Sequence, residues 1–250
     1  MTEAASPVLT GLEDGVATLA LNRPGRGNAL GPTLVAALGD AFEGALAGGA
    51  RLVVLRGEGR HFCTGFDLSD LDDLSDGDLL LRVVRIEELL QRIHAAPVPV
   101  LAIATGRSFG AGADLFAACD RRIAVDGASF AFPGPAFGLV LGTARLAALV
   151  GRDAARAMLL AGQEVTAEAA LACGLATAVV PPAAVPAELA HAAAAARRLD
   201  PETVAALHRR TAPAENDADM AALVRSASRP GLKRRIQDYR AQVAVARQQR

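Results

Sequence analysis

The chain has 250 residues, 52% of them hydrophobic and 21% charged, with a formal net charge of −1. This fits one globular unit with a sizeable core. The near-neutral balance gives no electrostatic drive toward nucleic acid or an anionic membrane, and 4% aromatics without Trp leave little for base stacking.

Cys63, Cys119 and Cys173 lie far apart and form no CxxC pair. The four histidines, His61, His94, His191 and His208, show no metal-ligand spacing. Cys119 and Cys173 read as reduced apolar fillers. "MTEAASPVLT" lacks a basic stretch followed by an apolar run, and "PVPVLAIAT" is too short to span a bilayer. A soluble cytoplasmic protein is expected.

In chain order, "VLTGLEDGVATLALN" alternates like a hairpin turning at Glu13-Asp14-Gly15. "PTLVAALGDAFEGALAGG" has helical periodicity, with Pro32 near its start and a glycine pair at its end. "ARLVVLRGEG" is a short strand, and "GDLLLRVVRIEELLQRIHAAP" a helix stopped by Pro97. "VPVLAIAT" is a buried strand. A short helix is expected from about Ala113, then strands at "RRIAV" and "ASFAF". After Gly142 the pattern is helical to the end, interrupted by one strand at "LATAVV". The chain therefore alternates β and α first and is mostly α later. A boundary near residue 195 separates a core, 1–195, from a helical appendage, 196–250.

Two stretches share a layout. "HFCTGFDL" follows one strand and "GRSFGAGADL" another; each pairs a tight small-residue turn with an acidic residue just beyond. A helix start carries N–H groups without internal partners and a partial positive charge. Two such turns brought together aim the amides of Phe66 and Ala111 at one point, a geometry suited to a developing oxyanion. A dinucleotide fingerprint fails, because Gly110 and Gly112 are followed by Leu115 where a third glycine is needed. Close helix–strand packing explains one such turn alone; two matching turns favour function.

These residues resemble the crotonase, or enoyl-CoA hydratase/isomerase, superfamily. The resemblance rests on "LNRPGRGNAL", "GRHFCTGFDL", "PVPVLAIATGRSFGAGADLFAACDRRIA" and "EVTAEAALACGLATAVVP", four segments in family order. It implies an α/β fold, a crotonase-like spiral of ββα units with a C-terminal helical region serving trimerisation or as a lid. It further implies an acyl-CoA thioester substrate, no separate cofactor, no metal, and assembly as a homotrimer or dimer of trimers. The thioester oxygen is then held by Phe66 and Ala111. Arg26 stands where a basic residue meets CoA phosphates, or is a solvated loop charge. Asn28, Ala29, Thr64, Gly65, Asp67, Leu68 and Gly110 fall along the CoA and acyl path. Lys233 or Arg240 could supply a basic group to CoA, although a solvated helix end explains them as well.

The family's two catalytic glutamates are not both matched. The first aligns with Asp114, one methylene shorter; the second aligns with Gly134. Two-carboxylate hydration is therefore in question, because acid–base work needs groups within hydrogen-bond reach. Asp114 also reads as an ordinary helix-start acid. Three functions follow: a hydratase, isomerase or lyase using Asp114; a catalytically reduced acyl-CoA binder; and, more remotely, a serine peptidase built on Ser108. Arg107 is expected to pair with Asp114, Asp67 or a substrate carboxylate.

Overall fold

The computed structural model describes residues 6–211 and 216–248. The hairpin forms as expected. Strands β1 (Val8–Glu13) and β2 (Val16–Leu21) pair antiparallel, joined by Asp14 and Gly15. Both turn residues have positive φ, 49° and 78°, as a two-residue hairpin turn matched to the strand twist requires. Helix α1 (Pro32–Ala47) leads to β3 (Leu52–Gly57). Helix α2 (Asp76–His94) opens with a capping box between Ser75 and Asp78. Next come β4 (Val100–Ala104), β5 (Arg107–Phe109) and α3 (Ala111–Ala117), then β6 (Arg121–Val125) and β7 (Ser129–Ala131).

The rest is mostly helical. It comprises α4 (Thr143–Val150), α5 (Arg152–Ala161), β8 (Val165–Thr166), α6 (Ala167–Cys173) and β9 (Ala178–Val180). The last four helices are α7 (Val185–Ala196), α8 (Pro201–Thr211), α9 (Asn216–Ala227) and α10 (Leu232–Gln248). The helical end was legible, though residues 249–250 lie outside those described. Two strands, β5 and β8, were not anticipated, and α3 starts at Ala111 instead of about Ala113.

A six-stranded sheet has the order β1-β2-β3-β4-β6-β9, parallel except for the β1–β2 hairpin. A smaller sheet runs β5-β7-β8. From β4 on, the chain leaves each large-sheet strand for the small sheet, at β5 after β4 and at β7 and β8 after β6, and returns through helix to the next parallel strand. The result is a spiral of β, β and α segments. Alternate residues of the central strands explain why both faces are buried. Val53, Leu55, Val100 and Ala102 face the main core with α1, α2 and α3. Leu52, Val54, Leu101, Ile103 and Ile123 face α7. A third cluster joins α2 to α9 and α10 through Leu79, Val83, Leu223, Leu232 and Ile236. The C-terminal helices thus pack back onto the spiral.

Candidate active site

The two glycine turns lie side by side, held by main-chain pairing. Phe62 N–H donates to Thr105 O (2.8 Å), Cys63 N–H to Arg107 O (3.3 Å), and Phe109 N–H to Cys63 O (3.0 Å). Side chains are excluded from this seam. A methyl group on Gly112 would overlap the Cys63 carbonyl; one on Gly65 would overlap the Phe109 carbonyl and lie 3.5 Å from Ala111 N. Gly65 also has φ 94°, a conformation that L side chains rarely adopt.

The pairing determines which way the Phe66 amide points. Leu30 bridges Phe66 in parallel register: Leu30 N–H donates to Gly65 O (2.7 Å) and Asp67 N–H to Leu30 O (3.2 Å). In such a bridge the middle residue's own N–H faces away from its partner strand, so the Phe66 amide turns from Leu30. Ala111 is the first residue of α3, and its N–H has no acceptor within the helix. Gly110, at φ 52° and ψ −128°, makes the sharp entry into that helix, and its N–H is held by Ala131 O (2.7 Å). One expectation is corrected here. Only the second turn opens directly into a helix; the first runs on through Asp67 as irregular chain, with a short 3-10 turn at Leu71–Asp73.

Phe66, Ala111 and Asp114 line one cavity of about 220 Å³, together with Thr64, Gly65, Leu68 and Gly110. Its remaining wall is apolar, including Ile86, Phe132, Leu139, Leu141 and Val243, with Gly134 and Tyr239 among the lining residues. A hollow of about 480 Å³ between α1 and α2 is larger. Its arginines pair with carboxylates, Arg82 with Asp70, Arg85 with Glu88 and, at 3.9 Å, Arg92 with Glu43, and it carries neither glycine turn nor Asp114.

Asp114 is 5% exposed. Burial pushes its carboxyl well above the usual carboxylate range; Arg145 pulls it down and Glu87 adds to the rise. Its carboxylate lies against Gly142, where a methyl group would overlap Oδ1 and come within 2.9 Å of Cγ. Gly142 caps α4, and Arg145 sits in that helix's first turn. Arg145 makes a two-pronged pair with Glu87 of α2, Nη1 to Oε1 at 2.9 Å and Nη2 to Oε2 at 2.5 Å. The two side chains are 3% and 1% exposed. Gln91 donates to Glu87 Oε1 (2.8 Å), and Asp219 of α9 stands 3.8 Å from Arg145. Sequence reading missed this buried network. The available signal was Glu87 falling on the apolar stripe of Leu79, Val83, Ile86 and Leu90.

The other candidate residues have these surroundings. Asn28 is fully buried, and its side chain clamps the loops: Nδ2 donates to Glu58 O and His61 O, and Oδ1 accepts from Arg23 N. Ala29 is also buried, and Asp67 pairs with Arg23 at 2.9 Å. Arg26 is exposed, outside the cavity lining. Arg107 pairs with neither Asp114 nor Asp67; it is exposed and lies 5.5 Å over the Phe109 ring. Lys233 Nζ donates to Asp72 O (2.6 Å), whereas Arg240 reaches Leu68 O at 3.5 Å, beside the lining. Ser108 is fully buried, and its Oγ has no hydrogen-bond partner among the described residues, which leaves it without a base. Cys63 is sealed as well, its thiol pushed up to about 12 by burial. Among the described residues no group of three His, Cys, Asp or Glu is arranged to hold a metal, and no helix is long and apolar enough to cross a membrane.

Known proteins resemble this chain in sequence and fold. The enoyl-CoA hydratase/isomerase family profile matches residues 11–228. A Bordetella parapertussis crystal structure assigned to the enoyl-CoA hydratase/isomerases superposes with a TM-score of 0.92 at 46% identity, covering 95% of this chain and 99% of that one. A Mycobacterium tuberculosis protein named as a probable enoyl-CoA hydratase, echA6, is 42% identical over 166 residues, 65% of this chain and 66% of its own length. The mitochondrial enoyl-CoA hydratase domain-containing protein 3 of Mus musculus is 35% identical over 68% of this chain and 58% of its own length. The chain thus spans just under two-thirds of the mycobacterial relative and less of the mouse one. The fold is that of the crotonase superfamily. Within it, the chain belongs to the enoyl-CoA hydratase/isomerase family.

Proposed function

We propose that this protein processes acyl-CoA thioesters by stabilising a thioester enolate between the Phe66 and Ala111 amides. Asp114 moves the proton at the α-carbon. The reading is carried by one observation: both amide-bearing residues and a buried carboxyl, its pKa raised by burial, line the same cavity. Two fixed N–H donors favour charge on the carbonyl oxygen as it develops, and they need not reorganise during reaction. A carboxylate in a poorly solvated site is a stronger base once ionised.

With one carboxyl, the simplest chemistry is a proton shuttle. Asp114 takes a proton from the α-carbon, the enolate forms against the two amides, and the same carboxyl returns the proton to the γ-carbon, moving the double bond. CoA belongs to the substrate, so no separate cofactor is required. The same reading has the protein working in the cytoplasm as a homotrimer or dimer of trimers. Exposed Leu160 on α5 and Leu171 on α6, 84% and 44% exposed, supply apolar surface for copies of the chain.

Asp114→Asn tests the reading. Turnover should fall by about 100-fold or more, with acyl-CoA affinity within a few-fold of wild type; unchanged turnover would reject the role. Gly134 favours a second reading, a catalytically reduced acyl-CoA binder. A panel of enoyl-, 3-hydroxyacyl- and malonyl-type CoA esters separates the two, since binding without conversion of any of them would support the second.

A further inference from the structure

We infer that the buried Glu87–Arg145 pair positions the charge of Asp114: its two members set how readily Asp114 releases and takes back a proton. The inference rests on the functional reading above, because it takes Asp114 to be the group that serves the α-carbon. Neither member of the pair lines the cavity. Both are positioning residues, acting through Asp114.

The placement begins with the backbone. Gly142, at φ 61°, caps α4, and the Asp114 carboxylate packs so closely on it that a methyl group there would overlap Oδ1. Arg145 follows three residues on, in the first turn of α4. Glu87 meets it from α2 through the two hydrogen bonds at 2.9 and 2.5 Å. The neighbour of Glu87 in sequence, Ile86, lines the cavity. The pair therefore joins α2 to α4, and both of these helices pack on α3, whose one acidic residue is Asp114.

One guanidinium thus serves Glu87 and Asp219 and acts on Asp114. Glu87 accepts from both of its terminal nitrogens, and Asp219 lies 3.8 Å away. Arg145 Nε is buried without a hydrogen-bond partner among the described residues. A guanidinium has five N–H donors, so Glu87 does not exhaust this one. Its field opposes the effect of burial on Asp114, and Glu87 reinforces that effect. β5 also packs on α3, but its Arg107 is exposed over the Phe109 ring. Across the cavity α10 contributes Tyr239 to the lining. His94, at the end of α2, is shifted down by burial, against its contact with Ala118 O, with Arg145 adding to the fall. Charges in a poorly solvated interior act more strongly than in water, so a change of charge in the pair reaches Asp114 without contact.

Two variants test this by sign. Glu87→Gln removes a negative charge with little change of shape, and the uncompensated Arg145 then favours ionised Asp114. Arg145→Met removes the positive charge and favours the protonated form. Loosened packing alone would not move the two in opposite directions. The Asp114 carboxyl is titrated by carbon-13 NMR, with Asp114→Asn assigning its resonance. The pH profile of α-proton exchange in butyryl-CoA, run in deuterated water, is recorded for the same proteins. Glu87→Gln should lower both the Asp114 midpoint and the acid limb of the profile by about one pH unit. Arg145→Met should raise both by about as much. Shifts of one sign in both variants, or no shift in either, would overturn the inference. A moved midpoint with an unmoved acid limb would overturn its consequence for the reaction. If Arg145→Met does not fold, Glu87→Gln decides alone: a lower midpoint supports the coupling, and an unchanged or higher one overturns it. A wild type that exchanges no α-proton would reject the functional reading, and the NMR titration would still decide the coupling.

Discussion

The Glu87–Arg145 pair gives the sharpest test of how the site is supported. Both side chains are almost fully buried, at 1% and 3% exposed, and joined by two hydrogen bonds. Arg145→Met strands the Glu87 carboxylate in the buried interior, with Gln91 as its remaining side-chain hydrogen-bond partner among the described residues. Losing one partner of a buried pair costs about 3–5 kcal/mol. For a chain of this size, each kcal/mol moves Tm by about 2–4 °C, so a fall of roughly 10 °C is expected. The double variant Glu87→Leu, Arg145→Met removes both charges and should recover most of the loss, because apolar replacements of buried pairs are often neutral or stabilising. Calorimetry and urea unfolding of wild type, both single variants and the double complete the cycle. Single variants costing under about 1 kcal/mol, or a double costing the sum of the singles, would refute the reasoning.

The remaining predictions concern the seams of the fold. Gly65→Ala drives a methyl into the Phe109 carbonyl at φ 94°; stability should drop by about 2 kcal/mol or more, and acyl-CoA affinity with it, as checked by urea unfolding and calorimetry. Asp76→Ala removes the acceptor of three α10 amides and should cost about 1–2 kcal/mol, with faster hydrogen exchange confined to α10. The Lys233 amide, followed by those of Gly231 and Leu232, holds the Asp76 carboxyl below its usual range. Its contribution is therefore present above the unfolded carboxylate pKa and is lost as pH falls through the folded value. His208 behaves in the opposite sense. Its Nε2 lies 2.9 Å from Asp120 and its Nδ1 2.7 Å from Ala96 O, and the Asp120 hydrogen bond raises its pKa. This tie of α8 to the core is complete below the unfolded histidine pKa and weakens as pH rises through the higher folded value. Exchange in α8 should quicken above neutral pH in wild type and lose that dependence in His208→Gln.

Much of this architecture was legible because local chemistry and tertiary structure agree. Asp14-Gly15 specifies a tight hairpin, Pro32 a helix start, and the β-branched runs at β3 and β4 strands buried on both faces. The β5 and β8 strands were not legible. Three and two residues long, they exist only through pairing with β7, which no local window contains. The two glycine turns announced themselves, because only small residues permit their stitched backbones. The Asn28 side chain serves as a loop clamp, a role that a motif position does not disclose. The Glu87–Arg145 pair spans 58 residues of sequence, and Tyr239 enters the cavity from the far end of the chain. Neither relation exists before the helices dock.

The central claim is best tested by a crystal structure with a bound acyl-CoA. The account predicts the thioester oxygen within about 3 Å of both Phe66 N and Ala111 N, with the α-carbon beside the Asp114 carboxyl. A thioester lodged between α1 and α2, or a carbonyl turned away from both amides, would contradict it.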